Sequence, residues 1–138
     1  MAMTSNYLWQ EQTHKAPCGC TDCEDCLEWT NLDGDATYPL VALDNGNCYS
    51  RGKSNIAIVL PDIDTLRSGQ FCITVRNTVL PPGNLYIRPA EPPGVVHISI
   101  DNVLYDYMTV DSLGIVCVCW DGSVFVVTGT GASGWDGA

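Results

Sequence analysis

Four cysteines stand within nine residues of one another in Cys18-Gly19-Cys20-Thr21-Asp22-Cys23-Glu24-Asp25-Cys26. Thiolates at this density are ligands for a soft or borderline metal, zinc or an iron–sulfur cluster. The C-x-C-x2-C-x2-C spacing matches neither the separated pairs of structural zinc sites nor the ferredoxin run. The interleaved Asp22, Glu24 and Asp25 attract a cation while raising the thiol pKa values. Three fates are open: a metal site on Cys18, Cys20, Cys23 and Cys26, with His14 as an extra ligand; disulfides within the segment or to Cys48; or free thiols. Bound either way, the cluster is structural, stapling a segment that has no core of its own.

Other reactive residue types are sparse. Cys117 and Cys119 fall on one face of a single strand and Cys72 on another strand, where small thiols are expected to pack as core residues. Asp33 with Asp35, and Asp62 with Asp64, sit in turns where aspartate bonds the backbone, and neither pair continues into a calcium loop. Gly129-Thr130-Gly131-Ala132-Ser133-Gly134 spells G-x-G-x-x-G, but only four residues follow it, so no helix offers its N-terminus to a pyrophosphate. It reads as a flexible tail whose Trp135 requires a partner to bury it. With only His14 and His97 and no nucleophile elbow, an enzyme is not expected.

The rest of the chain supplies scaffold. Short runs rich in β-branched and aromatic residues alternate with turn formers: 38–43, 48–49, 55–60, 71–76, 85–88, 95–100, 105–110, 115–120 and 123–128. The alternation in 95–100 sets Val96, Ile98 and Ile100 on one face and His97 on the other. Asp121-Gly122 predicts a two-residue hairpin. The expected fold is all-β, an antiparallel β-sandwich or jelly-roll-like barrel. Its parts are an irregular Cys-rich N-terminal arm (1–32), a sandwich domain (33–130) and a glycine-rich tail (131–138).

The 138 residues carry a formal charge of −10, from 16 acidic and 6 basic side chains. That balance opposes a phosphate backbone, so nucleic acid is not an expected partner. No apolar stretch approaches the roughly 20 residues of a membrane-spanning helix, and residues 1–11 lack the basic and apolar regions of a secretory signal. Membrane association is therefore not expected.

The strand-and-turn pattern resembles a recurring structural domain of tailed bacteriophages. Two stretches carry the likeness: Leu60-Pro61-Asp62 leading through Gly69-Gln70 to the run 71–77, and Cys119-Trp120-Asp121-Gly122-Ser123-Val124-Phe125-Val126-Val127. It covers residues 38–130. The resemblance implies a structural virion protein, made in the host cytoplasm and commonly trimeric. The short chain favours a capsid decoration (cement) protein that binds the major capsid protein or another virion protein. The alternative is a tail-fibre or appendage module that uses Tyr86, Tyr105 and Tyr107 on a host-surface glycan or receptor. Trp9, Trp29 and Trp135 are the expected interface residues, because tryptophans outside a strand core tend to be anchors.

Overall fold

The computed structural model describes residues 26, 28–32, 36–51, 55–67, 71–78 and 84–136. It is all-β, with ten strands hydrogen-bonded into one mixed sheet. In chain order these are β1 (Thr30–Leu32), β2 (Ala36–Pro39), β3 (Cys48–Arg51), β4 (Ile56–Val59) and β5 (Cys72–Asn77), then β6 (Leu85–Arg88), β7 (Ile98–Ile100), β8 (Val103–Tyr105), β9 (Tyr107–Trp120) and β10 (Phe125–Trp135). Single 3-10 turns occur at Ala42–Asp44 and Ile63–Thr65.

The first six strands form a coil of three two-strand rungs. β1, β3 and β5 stack in parallel, with Asn31 opposite Ser50 and Ser50 opposite Arg76. β2, β4 and β6 stack in parallel beside them, with Ala36 opposite Ile56 and Ile56 opposite Leu85. Five pairings in the sheet are parallel, counting β10 with β7, so the ladder is mixed where a wholly antiparallel one was expected.

A long antiparallel hairpin closes the last rung. The second half of β9 pairs with β5, from Ile115 against Arg76 to Cys119 against Cys72. Its first half pairs with β6, from Met108 against Ile87 to Val110 against Leu85. A register shift between Val110 and Ile115 bends the strand where it passes from one layer to the other. The layers thus face each other as a sandwich although the hairpin joins their ladders.

Alternation along the strands fills one core between the layers. Ile73, Val75, Val116, Val118, Trp120 and Phe125 face in from the first layer, and Ile56, Ile58, Leu85, Ile87 and Met108 from the second. Arg51, 0 % exposed, reaches into this interior and donates from Nη1 to Asn77 Oδ1 at 3.0 Å. Asn77 Nδ2 in turn donates to the Val110 carbonyl at 3.0 Å. This polar chain ties β3, β5 and β9 together at the end of the core, where an unanswered charge would be costly.

Two expectations change here. Residues 131–135 continue strand β10, pairing Ala132 with Val110 and Trp135 with Tyr107, so the glycine-rich segment is sheet up to Trp135. Gly131 takes a φ of 84°, open to glycine at little cost, and a Cβ on Gly134 would stand 2.4 Å from the Tyr105 ring. The final hairpin loop spans 121–124, because Asp121 Oδ1 accepts from the N–H groups of Ser123 (2.8 Å) and Val124 (2.9 Å) and so holds a wider turn. Asp62 does behave as a turn residue, its Oδ1 accepting from Asp64 N–H at 2.9 Å.

Candidate functional site, an aromatic recess on the outer face of the second layer

Where Leu85 and Ile87 point into the core, Tyr86 and Arg88 must point out. The same alternation turns Tyr107 and Thr109 outward from β9 and Ser133 and Trp135 outward from β10, with Met108 and Val110 buried between. Register sets these side chains in rows across the layer. Ala57, Tyr86, Thr109 and Ser133 form one row, and Tyr107 faces Trp135 in the next, where Arg88 also lies.

The rings gather. Tyr107 and Trp135 have centroids 5.5 Å apart at a 40° tilt, and the edge of one ring meets the face of the other between Tyr86 and Trp135 at 6.0 Å and 78°. Each such pair contributes about 0.5–1.5 kcal/mol beyond its buried area. Between them opens an apolar recess of about 240 Å³, lined by Ala57, Tyr86, Ile87, Arg88, Tyr107 and Trp135. Trp135 is still 39 % exposed and Arg88 is exposed. Every lining residue belongs to a paired strand, so the shape is set by the backbone ladder before any ligand arrives.

The opposite outer face has a different chemistry. Cys26 is bonded to Cys48 on β3, and Cys72 on β5 to its cross-strand partner Cys119 on β9. No described cysteine is a free thiol. The Trp29 ring lies 3.9 Å from the Arg76 guanidinium, a cation–π contact that fastens the start of β1 to β5. Cys117, expected as a packed thiol, is also disulfide-bonded; it is 1 % exposed, with its sulfur 3.6 Å from Thr74 Oγ1. This face is closed and cross-linked.

The expected site residues are thus divided. Trp135 is at the centre of the recess, Trp29 is engaged with Arg76, and Trp9, His14, Cys18, Cys20 and Cys23 lie outside the described residues. Cys26 corrects the expected ligand set: its sulfur is spent in the bond to Cys48 and is no thiolate. Cys72 and Cys119, expected as packed thiols, are bonded because strand pairing sets them directly opposite each other. Among the described residues no three His, Cys, Asp or Glu side chains converge on a point where a metal would sit.

Tyr86 and Tyr107 sit on strands β6 and β9, while Tyr105, at the end of β8, packs its ring on Gly134. Arg88 escaped the sequence reading, although the alternation Leu85-Tyr86-Ile87-Arg88 already set it beside Tyr86 on the outward face. His97 stands 3.8 Å from Asp106, and neither lines the recess, although the Asp106 N–H donates to the Trp135 carbonyl at 3.2 Å. No protein-family model matches the chain, and a search of curated proteins finds no significant relative. Among the described residues no helix is long and apolar enough to cross a membrane.

Proposed function

We propose that this chain is a non-enzymatic structural protein of a tailed-phage virion, serving as an appendage module that holds a host-surface glycan in the aromatic recess. One observation carries the reading: Tyr86, Tyr107 and Trp135 are gathered around an open, apolar recess on a preformed sheet face. Aromatic rings offer flat apolar surfaces to the C–H faces of a sugar, and a site built on paired strands loses little entropy on binding. Disulfides such as Cys26–Cys48 and Cys72–Cys119 fit a protein whose working life is outside the reducing cytosol, as a released particle's is.

A glycan array probed with the purified protein tests this. Binding to a defined set of glycans that Trp135→Ala removes is the expected result; a blank array, with the protein instead bound to capsids, would overturn it. That second outcome is the capsid-decoration reading, with the major capsid protein as partner and a homotrimer as the binding unit. It is favoured by one feature: β8 ends the strand order, and Val103 and Leu104 on it and Val95 nearby are about half exposed.

A further inference from the structure

We propose that the recess selects an acidic sugar, a hexuronic acid unit whose carboxylate is held by Arg88. The inference rests on the glycan-binding reading and adds the chemical class of its ligand. The chain has only 6 basic residues against 16 acidic ones, and one of the six lines the aromatic recess. Arg88 is exposed there and makes no ion pair with any described carboxylate. A guanidinium presents a planar fork that matches a carboxylate with two parallel hydrogen bonds, which an ammonium does not.

The alternatives fit less well. An aromatic trio also suits a quaternary ammonium, but a guanidinium in the lining repels a cation. A neutral sugar would stack equally well and leave Arg88 without a role. At a distance the net charge of −10 disfavours every anion, so selection must come from the local cation. The recess, at about 240 Å³, is below the roughly 300–1,000 Å³ of pockets for drug-sized ligands, which suits one pyranose ring with its neighbours in solvent.

The outer face also sets an orientation. Asp111, on the same strand as Tyr107, accepts from Ser133 Oγ at 3.2 Å and lies about 13 Å along β9 from the Arg88 row. A carboxylate therefore points to the Arg88 end, and ring hydroxyls point towards Thr109 and Ser133. This gives the bound chain a direction.

Titration calorimetry with a trigalacturonic acid and its methyl ester tests the proposal on the wild type, Arg88→Gln and Trp135→Ala. The acid is expected to bind at least tenfold tighter than the ester. Arg88→Gln should bring the acid down to the ester's affinity, and Trp135→Ala should abolish both. Arg88 is a surface side chain, and an unchanged far-ultraviolet spectrum verifies that its variant is folded. Equal affinities for acid and ester, unaltered by Arg88→Gln, would overturn the acidic preference and leave the glycan reading standing. Binding of neither, with neutral glycans retained on the array, would do the same; binding of neither with a blank array would overturn both.

Discussion

The two outer faces of the sandwich are built by the same alternation and put to opposite uses. On the first layer the outward positions carry Cys48, Cys72, Thr74, Cys117 and Cys119, and that surface is cross-linked and closed over. On the second they carry Tyr86, Arg88, Tyr107 and Trp135, and that surface stays open around a recess. On the proposed reading, the contrast separates stability from recognition. Covalent links hold the coil from one side, so the other side can leave large aromatic groups in water, where they contribute less to folding than they would in a core.

The comparison breaks most forcefully at the disulfides. Removing the Cys72–Cys119 bond, which closes a separation of 47 residues, with paired alanine substitutions should lower stability by about 4 kcal/mol. The Cys26–Cys48 bond, with a separation of 22, should be worth about 3 kcal/mol. Chemical denaturation of each double variant, with the wild type in reductant as control, reads both. Glycan binding by the folded fraction should be unchanged.

Gly134→Ala ranks next, because its Cβ would enter the Tyr105 ring. It should cost about 1–3 kcal/mol as overpacking. Since Trp135 is the adjacent residue, ligand affinity should fall as well, an effect that thermal melts and calorimetry measure separately. Paired Trp29→Ala and Trp135→Ala variants sharpen the contrast further. Each removes a half-buried ring and should cost about 1–2 kcal/mol, yet only Trp135→Ala should abolish binding.

The smallest effect comes from Tyr49, whose phenol burial pushes above its ordinary value of 10.0. The folded chain keeps a proton that the unfolded chain releases, so this contribution to stability is present below pH 10.0 and declines as pH rises beyond it. Tyr49→Phe should flatten that decline in alkaline denaturation curves, with binding unaffected.

Strand positions were legible because alternation and turn residues act locally: 55–60, 71–76 and 85–88 each overlap a strand of the observed fold. Pairing direction was not. The rungs differ in length, with Ser50 and Arg76 26 residues apart and Asn55 and Asn84 29 apart, so stacked strands leave no regular period in the sequence. Glycines near the end suggested flexibility, whereas Gly131 serves a positive φ and Gly134 a close ring contact. Cysteine spacing left metal and disulfide both open for Cys26 and made Cys72 a packed thiol, because their partners, 22 and 47 residues away, meet them only once the strands have stacked. Of the recess, Trp135, Tyr86 and Tyr107 could be picked out by residue type. Their convergence with Arg88 depends on the register of β6, β9 and β10.

Each of the four tryptophans gives an indole N–H signal, so the two faces carry their own reporters. A proton–nitrogen correlation spectrum recorded while trigalacturonic acid is added compares them in one experiment. The account predicts that the Trp135 indole shifts saturably while the Trp29 indole, held over Arg76, stays in place. A saturable shift at Trp29 with Trp135 unmoved would contradict it.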